Sequence, residues 1–371
     1  MAFNLRLALS GIGPLIEDIR AATGLSNSLL GLLTTLPLIA FSLISTLTPL
    51  FTRRFGIVGT LLGAMLLLTI GTAMRYIAWV PALYFGTFLA GVAIAFGNVL
   101  LPTLTKQNFE TNAGIITSLY SSMMAGGAGI AAGVSVPMAE DLGLGWRGSL
   151  AIWAILSLFT FFLWLPQLSR IKKTKPQGSY FAAMKKLSGS KLAWQVALFM
   201  GFQSLTFYVI FAWLPAILQS RGYEADYAGW MLFLSQVTGI LGSLIIPVFA
   251  GKKKDQRSLV WFLIILELIG LIGLILPQFG LVPLWVSLIG FVLGGCFGLS
   301  LLLIVLRSKD ADATTELSGM AQSIGYFVAG TGPILFGSIF DFTGSWNYAF
   351  ILLFIAVFLK LITGLGASKP V

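Results

Sequence analysis

The chain has 371 residues, of which 57% are hydrophobic and only 10% charged, and its 23 Lys and Arg exceed its 13 Asp and Glu to give a net charge of +10. A soluble globular protein carries about 25% charged residues, so this charge cannot cover a soluble surface and lipid must be the solvent for much of the chain. Histidine is absent, which excludes His metal sites, His general bases and Ser-His-Asp triads together.

A membrane-spanning helix needs about 20 apolar residues. That criterion predicts twelve spans, at 1–17, 28–51, 57–78, 80–104, 114–138, 146–167, 193–218, 227–250, 258–277, 281–306, 316–340 and 345–366. The first opens without the basic n-region and small-residue cleavage site of a signal peptide. Glu17, Asp18 and Arg20 follow it, and it reads as a first span, either whole or clipped at its start. Spans three and four are separated only by a tight turn near Pro81. The single cysteine, Cys296, lies inside the apolar run of span ten and reads as a small buried hydrophobe.

Basic residues collect in the cytoplasmic loops of membrane proteins, and this accounts for the positive charge better than nucleic acid does. With both termini inside, the inner loops hold Arg53, Arg54, Lys106, the cluster from Arg170 to Lys191, Lys252, Lys253, Lys254, Arg257, Arg307 and Lys309. The outer side holds Arg20, Arg75, Arg147 and Arg221. This alternation requires an even number of spans.

The longest polar stretch, residues 168–192, falls between spans six and seven and reads as a cytoplasmic linker. It divides the chain into an N-terminal bundle, 1–167, and a C-terminal bundle, 193–371. The halves match faintly. Phe96-Gly97-Asn98-Val99-Leu100-Leu101 ends span four, and Phe297-Gly298-Leu299-Ser300-Leu301-Leu302 ends span ten. Pro49-Leu50-Phe51 precedes Arg53, as Pro247-Val248-Phe249 precedes Lys252. Pro14 near the end of span one matches Pro215 in span seven. An all-α integral membrane protein of twelve helices in two six-helix repeats is therefore expected, the major facilitator architecture. Gly126, Gly127, Gly129 and Gly133 in span five, with Gly330, Gly332 and Gly337 in span eleven, let backbones approach. They serve either simple packing or sliding between the halves.

Four stretches carry a resemblance. They are Asn4-Leu5-Arg6, Gly97-Asn98-Val99-Leu100-Leu101-Pro102, Ser318-Gly319-Met320-Ala321-Gln322-Ser323 with Gly325-Tyr326, and Leu192-Ala193-Trp194-Gln195 followed by Trp213-Leu214-Pro215-Ala216-Ile217-Leu218. Over nearly its whole length the chain resembles the cyanate and 2-nitroimidazole transporter branch of the major facilitator superfamily. The resemblance implies a small-molecule carrier of the bacterial cytoplasmic membrane. One departure is the loop between spans two and three. Major facilitator proteins usually carry an Asp ahead of the basic pair there, whereas this chain reads Pro49-Leu50-Phe51-Thr52-Arg53-Arg54-Phe55-Gly56.

Carrier sites lie near the bilayer midplane between the repeats. Counting inward from Glu17 puts Arg6 roughly 16 Å deep, where an arginine costs about 2.5 to 3.5 kcal/mol to insert. It either reads an anion or snorkels to the inner surface. A guanidinium fork suits cyanate, a nitro group or a deprotonated azole. Asn98, Tyr120, Gln203, Tyr208, Gln322 and Tyr326 reach similar depth on spans four, five, seven and eleven. Each either lines a cavity or bonds a neighbouring helix. Gln236 is central on span eight, and Asn4 points away from Arg6. Phe207, Trp213 and Phe327 are candidate apolar walls.

Glu267 on span nine is the one mid-span acid, either a protonated packing residue or a proton site. No G-x-x-x-x-G-K-[ST] or G-x-S-x-G run is present, so neither ATP-driven pumping nor serine esterase chemistry is expected. No cofactor, metal or nucleic acid partner is expected, and the carrier is expected to act as a monomer. The competing classes are a channel, which usually surrounds a pore with several chains, and a membrane enzyme, which would need a cluster of acids, His or Cys at depth.

Overall fold

A computed structural model of the chain describes residues 1–170, 179–276 and 280–370. No strand occurs among them. The helices are α1 (Asn4–Ser10), α2 (Ile16–Thr23), α3 (Asn27–Ile44), α4 (Thr48–Met74), α5 (Val80–Asn108), α6 (Ala113–Ala139), α7 (Gly145–Ala151), α8 (Trp153–Trp164), α9 (Tyr180–Ser188), α10 (Lys191–Gln219), α11 (Ala225–Gly251), α12 (Arg257–Ile275), α13 (Val282–Leu306), α14 (Ala311–Thr343) and α15 (Trp346–Ala367).

Among the described residues, ten stretches are long and apolar enough to cross a membrane. One of them, Leu29–Met74, covers 46 residues and holds both α3 and α4. It is bent back at Gly56, whose φ of 71° and ψ of 169° interrupt the helix. That backbone conformation is open to glycine and strained for other residues. The turn falls where the basic pair Arg53-Arg54 marks a loop, so two crossings lie in this stretch. Short helices α1 and α2 supply one more, giving the twelve expected.

The first span differs from the continuous helix expected over 1–17. Residues 11–15 form turns between α1 and α2, and the helical path runs on to Thr23. Gly11 and Gly13 weaken the helix there, and Pro14 cannot donate to the ladder. Span six is also interrupted, with α7 and α8 separated at Ile152 and a 3-10 turn over Leu165–Arg170. Part of the linker is helical, since α9 falls within 168–192, while residues 171–178 lie outside the described residues.

Loop chemistry starts the long helices. Ser190 Oγ accepts from Ala193 N at the head of α10, and Asp310 Oδ1 accepts from Ala313 N at the head of α14. Both are N-caps that satisfy an otherwise orphaned donor. At 29 residues, α10 is about 43 Å long, enough to cross a bilayer and project beyond it.

In the first half, α4 packs on α5 and α8, and α1 lies against α6, α5 and α8. In the second, α11 packs on α13, α10 on α14 and α15, and α12 on α13 and α15. The halves meet where α6 packs on α11 and where α14 packs on α3 and α5. The start of α6 and the end of α11 approach through Gly114 and Gly251, where a Cβ on Gly114 would sit 2.5 Å from the Pro247 carbonyl. By contrast, Gly126, Gly129, Gly133 and Gly330 have nothing within 4 Å of a built Cβ. The closest packing between the halves is thus at the side bearing the basic loops, on glycines other than those singled out from spans five and eleven.

Candidate functional site

Arg6 projects from α1 into the meeting place of the halves. Its Nη2 donates to the Tyr326 hydroxyl of α14 at 3.5 Å, and its guanidinium lies 5.8 Å from the centre of the Phe297 ring of α13. The Tyr208 hydroxyl of α10 also faces it. Asn98 Nδ2 of α5 donates to the same Tyr326 hydroxyl at 3.3 Å. The Tyr326 ring leans on Phe41 of α3, centroids 4.8 Å apart. One phenol thereby receives two donors from the first half of the chain.

Protein surrounds Arg6, yet part of its surface remains accessible, as does part of Tyr208 and Phe297. At 1.5 Å per residue, Phe297, Asn98, Tyr326 and Tyr208 lie about 14, 15, 23 and 26 Å from the basic-side ends of their helices. Arg6 therefore sits among mid-helix residues of the neighbouring helices. Among the described residues no carboxylate pairs with it.

Why α1 holds this place is legible in its neighbours. Leu5 fills the space over Gly97, and Phe3 that over Gly127. Asn4 points away from the centre, donating to Thr160 Oγ1 of α8 at 2.6 Å, as its offset from Arg6 requires.

Not every expected residue joins. Gln203 is buried but turns to its own helix, donating to Ser204 Oγ at 2.6 Å and to Met200 Sδ at 3.5 Å. Gln236 likewise donates to its neighbour Ser235. Tyr120 is buried among apolar residues of α6 and the second half, and its hydroxyl lacks a partner. Gln322 lies one turn before Tyr326, buried, with Oε1 unpartnered. Trp213 does not wall the centre: its Nε1 donates to the Pro333 carbonyl at 3.0 Å and its ring packs on Trp346. Phe327 is exposed, and Phe207 meets Tyr208 edge-on.

Glu267 is not a lone acid. Lys360 Nζ lies 2.6 Å from both its carboxylate oxygens, and both side chains are fully buried. The sequence reading missed this partner, although Lys360 was the only basic residue well inside span twelve. Phe41 and Phe297 were also missed, since single apolar residues carry no signal of facing a site.

Contacts between the halves run from the basic side to the level of Arg6. Arg53 Nη2 pairs with Glu316 Oε1 at 3.0 Å, Thr103 and Thr315 hydroxyls meet at 3.0 Å, and the Ser323 hydroxyl bonds the Ser42 carbonyl. Ser122 and Ser243 hydroxyls are 2.9 Å apart between α6 and α11. The missing loop Asp is thus answered from the other half, by Glu316. No hydrogen bond between the halves is found beyond Tyr326 among the described residues.

Comparison with known proteins agrees with this architecture. The family model "Major Facilitator Superfamily" matches residues 1–333. A 2-nitroimidazole transporter of Escherichia coli (strain K12) is 40% identical over 370 residues, covering 100% of this chain and 93% of the relative. The cyanate transport protein CynX of the same organism is 28% identical over 347 residues, covering 93% and 89%. Among solved structures, the E. coli fucose:proton symporter FucP superposes with a TM-score of 0.79 at 12% identity, covering 99% of this chain and 97% of that one. The chain is a multi-pass membrane transporter, not an enzyme, and it belongs to the Major Facilitator Superfamily.

Proposed function

We propose that the protein is a secondary carrier for a small anion or weakly acidic nitrogen compound, cyanate-like or nitroimidazole-like, working by alternating access. One observation carries this reading. Arg6 stays partly accessible at mid-helix depth, unpaired by any described acid, within a ring of phenol, amide and aromatic groups drawn from both halves. Its planar donors fit a carboxylate-shaped or nitro group and fit a compact cation badly. The ring faces and hydroxyls suit a flat heterocycle. The names of the two E. coli relatives point to the same solutes.

The moving bodies are the bundles 1–167 and 193–371, joined by 168–192, with both termini in the cytoplasm of a bacterial cell and the protein acting as a monomer. Contacts confined to the basic side up to Arg6 support a state closed to the cytoplasm and open outward. Binding of an anion neutralises Arg6 and favours passage of the closing gate. The set Arg6, Asn98, Tyr120, Gln203, Tyr208, Gln322 and Tyr326 remains the candidate substrate group, with Arg6, Asn98, Tyr208 and Tyr326 as its assembled centre. Glu267 enters any proton coupling only together with Lys360.

Counterflow in proteoliposomes tests the reading. Preloaded cyanate or 2-nitroimidazole should drive saturable uptake of labelled solute, and Arg6→Gln should reduce it at least tenfold, about 1.4 kcal/mol. Linear, non-saturating flux, or wild-type uptake by Arg6→Gln, would refute it.

A further inference from the structure

Arg75 lies, by sequence, near the outer end of span three, where charge is ordinarily solvated. In the structure its side chain is 0% exposed. The backbone leaves α4 at this residue, and the side chain turns back beside Gly86 of α5 to reach α1. There Nη1 donates to the Ala8 carbonyl, while Nε and Nη2 have no partner.

The Ala8 carbonyl is available because span one is broken. In a continuous helix it would accept from the Ile12 N–H. Here that N–H bonds Leu9 O instead. The final carbonyls of any helix are orphans with partial negative charge, and a cation there satisfies and stabilises them. Ala8 is two residues beyond Arg6, about 200° around the helix. Arg75 therefore grips α1 from behind while Arg6 faces the centre. No carboxylate neutralises Arg75 among the described residues, so the carbonyl end of α1 is its counter-charge.

We propose that Arg75 is a positioning residue for solute binding: it fastens the end of the half-helix that carries Arg6 to spans three and four, independently of the segment beyond the break. The proposal rests on Arg6 being the solute ligand. Fastening α1 at this end fixes the rotation of a helix only seven residues long, too short to hold its own geometry.

The test uses the full chain in proteoliposomes with labelled 2-nitroimidazole. Arg75→Gln should raise KM about tenfold with Vmax changed less than about twofold, and Arg75→Lys, which keeps the charge, should raise it less. The deciding measurement is Vmax/KM in a double-variant cycle. If Arg75 acts through Arg6, adding Arg75→Gln to Arg6→Gln should cause no further loss. A merely structural residue would lower stability in both backgrounds and reduce Vmax/KM additively. Additive losses, or an unchanged KM in Arg75→Gln beside a raised one in Arg6→Gln, would overturn the positioning role alone. An unchanged Vmax/KM in Arg6→Gln would overturn the solute-site reading and this one with it. If neither Arg75 variant folds, the residue is a stability element and the assignment falls.

Discussion

Removing either member of the Lys360–Glu267 pair should damage the protein more than removing both. The two side chains are completely buried, with Nζ 2.6 Å from each carboxylate oxygen. Lys360→Met leaves a carboxylate without its cation among Val260, Leu263, Ile264 and other apolar neighbours. Stranding one partner of a buried pair destabilises by about 3 to 5 kcal/mol, whereas replacing the whole pair by apolar residues of similar volume is often neutral or stabilising. Glu267→Leu with Lys360→Met should therefore recover most of the loss, giving a coupling energy of about 3 kcal/mol or more. Unfolding of purified protein in detergent, by intrinsic fluorescence against denaturant, measures all four corners of the cycle. A double variant whose loss equals the sum of the singles within about 0.5 kcal/mol would refute the argument. Transport by the folded double variant adds a second reading. Cys296 lies within electrostatic reach of the pair, and the adjacent Phe297 faces Arg6. Uptake with unchanged pH dependence in the double variant would remove Glu267 as a proton site.

Other outcomes follow from the same geometry. Tyr326→Phe removes the hydroxyl that both Arg6 and Asn98 reach and should raise KM about three- to tenfold, one shared hydrogen bond at about 1 kcal/mol; an unchanged KM would put the phenol outside the site. Glu316→Gln breaks the partly buried pair with Arg53 that joins the halves on the basic side. It should shift the conformational equilibrium by about 1 kcal/mol, roughly fivefold, away from the outward-open state. Cysteine labelling on the basic side of α14 should rise accordingly, and no rise would refute it. Asp255, partly exposed just before α12, is held down to about 2 by hydrogen bonds from Arg257. A depressed carboxyl contributes above its unfolded value of about 3.9 and loses that contribution as pH falls through about 2. Asp255 should therefore stay ionised across any transport assay between about pH 5 and 8. An uptake profile that Asp255→Asn alters in that window would contradict this.

Much of the architecture was legible from the order of residues, because lipid permits few choices. A backbone without water must close its hydrogen bonds within helices, so each apolar run declares a span and each basic cluster a loop. Even the bend inside 29–74 was announced, by Arg53-Arg54 beside Gly56. The direction of Asn4 relative to Arg6 followed from helix counting alone, since the angle per residue is fixed within α1. Local chemistry stopped there. The break after Ser10 depends on whether neighbouring helices satisfy the freed carbonyls, and the guanidinium that bonds Ala8 comes from 67 residues away. Arg75 looked like solvated charge at the outer end of span three because the sequence shows where its backbone leaves the helix, not where its side chain returns. Gln203 looked like a site residue, but its amide found Ser204. Lys360 and Glu267 are 93 residues apart, and only the packing of α12 on α15 makes them a pair. The sequence by itself therefore determined that this is a multi-pass membrane transporter of the major facilitator architecture, with an arginine in its first span. Tertiary structure alone decided which polar groups share that arginine's surroundings, because a buried side chain takes its partner from whichever helix lies beside it.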